Sequence, residues 1–395
     1  MRLIVATEAV LVLATSCLSQ KECSSVRTSA KPEARELVRA WRFAPAFHQV
    51  LRESFHSRRA TYRVGIPIQR SGERVRVTFQ AGDGRFQLHA AGIRNKANVQ
   101  PTALTFGGRA GFNTDAGQLV QSDPIAISLQ AGNEILVAFE IEGAVAVNSF
   151  ERFPEGSTEP GSHVFALPDA ASTPFRRGIG LTSIDIEGEP SRAIVAIGDS
   201  ITEGYISGHD DIQDSWPMMA QRMLGVPVVG AAVSGQGVDD ALQSLARDVS
   251  TMEGITDCVV LLGTNDLADR PDTYIISRLE ELARRLRSSC QVWMGTILPK
   301  EWTPRGSYPM VEQRRQAVND WLREWKSDAR VIDFDATLRD RASPHRLRPG
   351  ASADGIHLSA RGHRLVAREL ARAVGLPLTT NTLDDFPDLS AVTNE

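Results

Sequence analysis

Three residues of this chain have the types and the spacing that nucleophilic catalysis on an acyl group requires. Ser200 follows the apolar residues 196–197 and precedes a glycine-rich turn, which suits a serine exposed at the end of a buried strand. Asp354 comes three residues before His357, so its carboxylate can hold one imidazole nitrogen and orient the ring. A serine becomes nucleophilic when a base takes its proton, and His357 is the best candidate for that base. The pattern predicts a Ser200–His357–Asp354 triad.

Two further segments lie between this serine and this histidine. The four segments are Gly198-Asp199-Ser200, Val233-Ser234-Gly235, Gly263-Thr264-Asn265-Asp266 and Asp354-Gly355-Ile356-His357. In this order they resemble the four blocks of the SGNH, or GDSL-type, hydrolase family, and the resemblance covers residues 190–375. It implies an esterase with a flavodoxin-like, three-layer α/β/α domain around a parallel sheet.

The resemblance also implies which groups hold the oxyanion formed during acyl transfer. They are the backbone N–H groups of Ser200 and Gly235 and the side-chain amide of Asn265. A glycine lets the backbone approach the oxyanion closely, and an amide stabilises charge without giving up a proton. Taken alone, Gly235 is typical of an ordinary turn and Asn265 of an Asx turn. Their order and spacing favour the catalytic interpretation.

Two positions depart from the commoner family pattern. Gly230 stands five residues before Gly235, where the family usually has asparagine, and Leu358-Ser359 stands where Pro-Asn often follows the histidine. The first change affects how the turn is braced and the second how the last helix starts. Neither removes a catalytic group. The Gly-x-Ser-x-Gly elbow of α/β-hydrolases is absent from the sequence.

Trp302 and His209 are the candidate substrate-binding residues outside these blocks. Trp302 is interpreted as lining the acyl or sugar pocket, although a loop tryptophan can equally anchor local packing. His209, with Asp210 and Asp211 beside it, can be read as a metal cluster, but a solvated loop at the substrate entrance is favoured. The sequence has no convincing metal-ligand set and no phosphate loop, so the predicted chemistry uses no metal and no organic cofactor.

Three other polar residues receive structural interpretations. Asp199 and Asp266 are adjacent to predicted catalytic residues and are expected to brace loops by accepting backbone N–H bonds. His363 falls on the last predicted helix and is expected to be a surface or packing residue.

Beyond residue 190 the sequence alternates between short apolar strands and amphipathic helices. The predicted strands are residues 194–197, 226–229, 259–262, 292–297 and 331–334, and the predicted helices are residues 216–224, 238–252, 273–287, 312–325 and 360–374. Alternation of this length indicates a parallel sheet covered by helices on both faces. Sites in such sheets lie at the carboxyl ends of the strands, where the four segments are expected to meet.

Before residue 190 the hydrophobic pattern has a period near two, which is typical of half-buried strands. The predicted strands are residues 63–68, 74–79, 85–89, 124–129, 135–141 and 181–186, with glycine turns at residues 71–72, 81–84 and 131–133. Short strands without a helical pattern favour an all-β sandwich, jelly-roll-like in type. A β-sandwich ahead of an SGNH domain resembles the arrangement of several bacterial carbohydrate esterases.

The 395 residues suit two domains. The predicted division is a signal at residues 1–17, a flexible tether at 18–35, a β-sandwich at 36–188, an SGNH hydrolase domain at 189–377 and a tail at 378–395. The composition, with 42% hydrophobic and 23% charged residues, is ordinary for a soluble protein. A formal net charge of −4 gives no basis for a nucleic-acid partner.

The N-terminus is typical of an export signal. Arg2 precedes the apolar residues 3–13, which Glu8 interrupts, and small residues precede Cys17. The signal is expected either to be cleaved or to direct lipidation of Cys17, which then serves as a lipid anchor. The protein is accordingly predicted to be periplasmic, secreted or membrane-anchored as a lipoprotein.

Cys258 and Cys290 each precede a glycine at a predicted strand end, Gly263 and Gly295, by five residues. If the two strands are neighbours, the two sulfur atoms lie at the same level and an oxidising compartment can join them. Two buried free thiols are an equally good alternative.

These observations together predict a serine esterase that hydrolyses short-chain, acetyl esters on a carbohydrate, in the manner of acetylxylan esterases. The expected partner is a small-molecule or polysaccharide ester. The alternative within the fold is a lipase, lysophospholipase or thioesterase acting on longer acyl chains. A cell-surface glycan-binding protein with a degenerate hydrolase domain is the rival of another class. All five catalytic positions hold competent residues, which argues against that rival.

Overall fold

The computed structural model of the protein describes residues 41–95, 100–149, 156–167, 172–208, 211–326 and 329–375. The predicted signal at 1–17, the tether at 18–35, the tail at 378–395, Cys17 and His209 lie outside these ranges. Within them, a β-rich region is followed by an α/β region.

The β-rich region is antiparallel throughout its described strands. They are β1 (Arg42–His48), β2 (Glu53–Pro67), β3 (Gly72–Asn95), β4 (Thr102–Ala103), β5 (Phe112–Thr114), β6 (Leu119–Gln121), β7 (Ile125–Leu129), β8 (Glu134–Val147), β9 (Gly156–Pro160), β10 (Thr173–Phe175) and β11 (Leu181–Gly188). The order is β1-β11-β3-β8-β2-β9-β10, and β4 to β7 pair along β3. Alternate Val, Ile and Phe side chains meet in one core, which confirms the predicted all-β architecture.

Strand β3 differs from the sequence prediction. The glycine pattern predicts a turn at residues 81–84, whereas the chain continues through them as one strand. The register against β8 shifts here and forms an irregularity in the ladder. A side chain at Gly82 would lie 2.3 Å from the Ser54 hydroxyl and 2.9 Å from the Val145 carbonyl oxygen. Gly82 therefore permits close approach of neighbouring strands, and the predicted turn is wrong.

The α/β region is built on a five-stranded parallel sheet. Its strands are β12 (Ile194–Gly198), β13 (Val228–Ala232), β14 (Asp257–Leu261), β15 (Gln291–Gly295) and β16 (Arg330–Ile332), in the order β13-β12-β14-β15-β16. Its helices are α1 (Ser200–Glu203), α2 (Trp216–Leu224), α3 (Val238–Asp248), α4 (Asp272–Leu286), α5 (Tyr308–Arg323), α6 (Phe334–Leu338) and α7 (Ala360–Val374). None of the helices in the described ranges is long and apolar enough to cross a membrane.

Successive residues of the central strand β12 point to opposite faces of this sheet. Val195 and Ile197 pack in the cluster that includes α3, α4 and α5, while Ile194 and Ala196 pack in the cluster that includes α2 and α7. Continuous apolar strands are expected where both faces of a parallel sheet are covered. The predicted three-layer, flavodoxin-like fold is confirmed.

Element limits agree with the sequence prediction where local signals are strong. Helices α2 and α7 have the predicted limits, whereas α5 begins earlier, at Tyr308, with Pro309 in its first turn. Phe334 is predicted to end a strand but begins α6. The reason is the side chain of Asp333, which accepts the Ala336 N–H at 3.0 Å and caps the helix.

A disulfide joins Cys258 of β14 to Cys290, with the two Cα atoms 5.8 Å apart. The prediction that the two sulfur atoms lie at the same level along their strands is wrong, because the parallel register pairs Cys258 with Val292 and not with Cys290. Cys290 lies just before β15 and still reaches across. Such bridges persist in oxidising compartments, and export of the protein stays a prediction.

Polar contacts join the β-rich region to the edge strand β13 and to α3. The His48 ring donates from Nδ1 to the carbonyl oxygen of Gly230 at 2.6 Å. Arg52 pairs with Asp248 at the end of α3. Burial lowers the pKa of His48, which favours the neutral ring. Gly230, which stands where the family usually has asparagine, therefore contacts the β-rich region through its backbone carbonyl oxygen.

Candidate active site

The chain passes from β12 to α1 with a sharp turn that presents Ser200. Asp199 is the N-cap of α1, and its carboxylate accepts the Ile201 N–H at 3.0 Å. Gly198 is required at the strand end, because a side chain there would lie 2.0 Å from the Thr202 hydroxyl. Ser200 is therefore held at the first position of a helix, at the carboxyl edge of the sheet.

The structure brings Ser200, His357 and Asp354 into one hydrogen-bonded line. His357 Nε2 lies 3.1 Å from Ser200 Oγ, and His357 Nδ1 lies 2.9 Å from Asp354 Oδ2. With Nδ1–H donating to the carboxylate, the Nε2 lone pair faces the serine hydroxyl. This is the geometry in which a neutral histidine can take the serine proton.

The carboxylate of Asp354 is held in its ionised form. Burial alone would raise the pKa of Asp354, but bonds from the Ile356 N–H, the His357 ring and the His357 N–H together lower it. The two backbone bonds to Oδ1 measure 2.9 and 2.7 Å. An ionised Asp354 keeps the proton on Nδ1 of His357.

Several groups that sequence reasoning missed fix the histidine loop. The Tyr205 ring packs 4.3 Å from the His357 ring, centroid to centroid. The hydroxyls of Ser207 and Ser352 both donate to the His357 carbonyl oxygen, at 2.9 and 2.6 Å. The predicted substrate-binding residue Trp302 donates from its indole to the Asp354 carbonyl oxygen at 2.7 Å and keeps 48% of its surface exposed. Trp302 therefore lies beside the triad.

The three predicted oxyanion donors lie at neighbouring strand ends. Gly235 is exposed and has a φ of +79°, which favours glycine. Among the described residues no hydrogen-bond partner is found for the backbone N–H of Ser200 or of Gly235. Asn265 donates one amide hydrogen to the Gln236 carbonyl oxygen at 3.0 Å, which leaves its second amide hydrogen available.

Gln236 links these donors to the nucleophile, and no sequence signal indicated it. Its side-chain amide donates to the carbonyl oxygen of Gly198, two residues before Ser200, while its backbone carbonyl oxygen accepts from the Asn265 amide. The residue is buried. It thus connects the second block to the first and the third.

Asp199 and Asp266 brace loops beneath the site. Asp266 accepts the Val238 N–H at the start of α3 at 3.2 Å. Burial raises the pKa of Asp199 to about 7 and that of Asp266 to about 6. The buried Lys300 donates to the Thr264 carbonyl oxygen at 3.0 Å, and burial lowers its pKa. The loop that carries Asn265 is therefore held on one side by the Lys300 bond to Thr264 and on the other by the Asp266 bond to Val238.

His363 is a fully buried packing residue of α7. Its Nδ1 accepts the Trp216 N–H and its Nε2–H donates to the Tyr205 carbonyl oxygen, both at 3.1 Å. These two bonds require the neutral ring, and burial lowers the pKa of His363 from 6.5 to about 4. The residue supports the loop whose tyrosine packs against His357.

We expect His363 to make folding sensitive to acid. Between pH 6.5 and 4 the unfolded chain gains a proton at this site and the folded chain does not, so stability present above pH 6.5 is lost as the pH falls. The loss amounts to about 3 kcal/mol at most. Urea unfolding at pH 7 and pH 4 should show a smaller acid-induced loss for His363→Gln than for wild type. The exposed His345→Gln should behave as wild type, and equal losses in all three proteins would contradict the assignment.

At the carboxyl edge of the parallel sheet, Ser200, His357 and Asp354 form one hydrogen-bonded line. Residues 196–365 match the model of the GDSL-like Lipase/Acylhydrolase family. The matched stretch begins in β12 and ends in α7, and it includes the four segments that carry the site residues.

Several solved structures are similar to this chain over about half of its length. A member of the lipolytic protein G-D-S-L family from Veillonella parvula is 22% identical over 47% of this chain and 98% of its own, with a TM-score of 0.40. A lipase/acylhydrolase from Enterococcus faecalis is 21% identical over 47% and 95%, with a TM-score of 0.39. A GDSL-like lipase from Bacteroides thetaiotaomicron is 19% identical over 47% and 88%, with a TM-score of 0.40. No curated protein matches the chain.

Proposed function

We propose that the protein is a serine esterase that removes acetyl groups from a carbohydrate. The observation that carries this proposal is the hydrogen-bonded line from Ser200 through His357 to Asp354, beside the donors Gly235 and Asn265.

The first step forms an acyl-enzyme. Ser200 Oγ attacks the ester carbonyl carbon while His357 Nε2 takes the hydroxyl proton. Negative charge moves to the carbonyl oxygen, where the N–H groups of Ser200 and Gly235 and the Asn265 amide stabilise it. The ester C–O bond then breaks, and the imidazolium returns its proton to the leaving alcohol.

The second step releases the acid. Water attacks the acyl carbon, His357 takes its proton, and the same three donors hold the second tetrahedral oxyanion. Collapse breaks the bond to Ser200 Oγ, which regains the proton. Asp354 stays ionised throughout and keeps the imidazole in one orientation.

A cleft lined mostly by residues with polar or charged side chains supports a carbohydrate as the alcohol part of the ester. A cleft of about 610 Å³ begins at the turn that contains Gly235. It is lined by Arg52, Val233, Ser234, Gly235, Gln236, Asp240, Gln243, Ser244 and Arg247. Of these, Asp240, Gln243, Ser244 and Arg247 carry polar or charged side chains that are exposed or partly exposed. Such a surface offers hydrogen-bond partners to the hydroxyl groups of a sugar, whereas a long acyl chain gains stability from apolar walls.

Trp302 supports the same substrate class. Its indole is tethered to the Asp354 carbonyl oxygen and remains half exposed beside the triad. A rigid, exposed aromatic ring gives a sugar ring a flat apolar surface to pack on. We propose that this ring lies against the sugar that carries the acetyl group.

Substrate chain length tests the proposed function. Hydrolysis of p-nitrophenyl esters from acetate to palmitate is measured beside acetate release from acetylated xylan. We expect kcat/KM to be highest for acetate and to fall with chain length, and the polymer to release acetate. A preference for long acyl chains would indicate a lipid substrate in place of an acetylated carbohydrate. An absence of hydrolysis for every ester would overturn the proposed function.

A further inference from the structure

One side chain of the β-rich region reaches a carboxylate of the nucleophile helix. Ser149 follows β8 by two residues and donates from its hydroxyl to both oxygens of Glu203, at 2.6 and 2.7 Å. Its backbone N–H lies 3.4 Å from Glu203 Oε1. Glu203 is the last residue of α1, the helix that begins at Ser200.

The same carboxylate holds the turn that carries the second oxyanion donor. Glu203 Oε2 accepts the backbone N–H of Ser234 at 2.5 Å and its hydroxyl at 2.8 Å. Ser234 directly precedes Gly235, so the bond to the Ser234 N–H fixes the chain immediately before the glycine. The carboxylate of Glu203 is the common acceptor of the β-rich region and of this turn.

In this arrangement both carboxylate oxygens of Glu203 must accept hydrogen bonds. Ser149 and Ser234 each present a hydroxyl and a backbone N–H to this carboxylate. A backbone N–H can donate a hydrogen bond but cannot accept one. Burial raises the pKa of Glu203, and the bonds from the two serines oppose that rise. An amide at position 203 would direct an NH2 group at one of these backbone donors, which is repulsive.

We propose that Ser149 and Glu203 are positioning residues that hold the Gly235 N–H in line for the oxyanion. This inference rests on the proposed acyl-transfer mechanism and makes the β-rich region part of the catalytic unit. Both residues act through the Ser234–Gly235 turn, which must keep its orientation in the acylation and the deacylation step alike.

The expected defect lies in kcat and not in KM. Misaligning one oxyanion donor weakens binding of the transition state more than binding of the ester, whose carbonyl carries little charge. We expect Glu203→Gln to lower kcat for p-nitrophenyl acetate by about 10- to 100-fold and Ser149→Ala by about 3- to 10-fold. KM should stay within about twofold of wild type in both variants. Ser149→Thr keeps the hydroxyl and should recover most of kcat.

A tetrahedral mimic separates positioning from a general loss of structure. Phenylboronic acid adds to a serine hydroxyl and presents an oxygen to the oxyanion donors. Its inhibition constant should rise in Ser149→Ala and Glu203→Gln by about the factor by which kcat falls. Thr105→Ala is the matched control, because it removes a 2.6 Å hydroxyl bond to a carboxylate, that of Asp123, elsewhere in the β-rich region. It should leave kcat and the inhibition constant unchanged.

The outcomes distinguish this inference from the proposed function. If the wild type is active and the Ser149→Ala variant keeps its kcat and its boronate affinity, the inference is overturned and the proposed esterase function is unaffected. A kcat loss shared equally by Thr105→Ala would also overturn it, since the effect would then be one of overall stability. A wild type inactive on every ester would instead overturn the proposed function. If Glu203→Gln fails to fold by near-UV circular dichroism, the Ser149→Ala and Ser149→Thr pair decides the question.

Discussion

Replacing Ser200 with alanine is expected to lower kcat for p-nitrophenyl acetate by roughly 10⁴- to 10⁶-fold. The hydroxyl lies 3.1 Å from His357 Nε2, and no acyl-enzyme can form without it. Ser200 is only partly buried at the start of α1, so the loss of one oxygen atom should leave the fold intact. Steady-state hydrolysis and a thermal melt of the same preparation check both expectations.

The control for this substitution is Ser288→Ala. Ser288 is exposed, and its hydroxyl donates to the Arg285 carbonyl oxygen after α4, away from the carboxyl edge of the sheet. It should retain the wild-type kcat. A Ser200→Ala protein with more than about a tenth of the wild-type kcat would show that another nucleophile carries the reaction.

Replacing Asn265 with alanine is expected to lower kcat by about 10²- to 10³-fold, with little change in KM. Its amide is aimed by the bond to the Gln236 carbonyl oxygen, and the second amide hydrogen is available to the oxyanion. Because this donor acts on charge that develops in the transition state, the loss should fall on kcat. Michaelis–Menten measurements with p-nitrophenyl acetate separate the two constants.

Two further variants sharpen the test at position 265. Asn265→Asp should be at least as impaired as the alanine variant, since a carboxylate would repel the oxyanion. Asn113→Ala, at an exposed position of β5, should leave both constants unchanged. A rise in KM with an unchanged kcat would mean that Asn265 binds substrate and has no special role in the transition state.

The α/β part and its site residues could be predicted from the sequence because their signals are local. Buried parallel strands are short apolar runs, and helix α2 is marked by Pro217 near its start. The candidate site residues each fall directly after a strand or in the last loop, where a parallel sheet collects them. Asp354 and His357 are three residues apart, so their contact needs no knowledge of the rest of the fold.

The bracing groups could not be predicted, because their partners are distant in the sequence. Ser149 lies in the β-rich region and contacts Glu203 in the α/β region. No spacing pattern in the sequence identifies a serine after a strand as a bracing residue. Gln236 likewise lies in a turn and acts through the carbonyl oxygen of Gly198. The missed continuity of β3 has a similar cause, since glycines that mark a turn and glycines that permit close strand approach look alike in a sequence.

The pairing of β1 with β11 has a consequence for how the protein is made. Arg42 pairs with Gly188, so nearly the whole β-rich region separates the two partners along the chain. During synthesis β1 leaves the ribosome before β11, so β1 has no hydrogen-bonding neighbour until β11 has also emerged. Closing so large a loop is entropically costly and slows folding. A nascent chain that stalls before Gly188 would leave an unpaired strand edge, which is a site of aggregation.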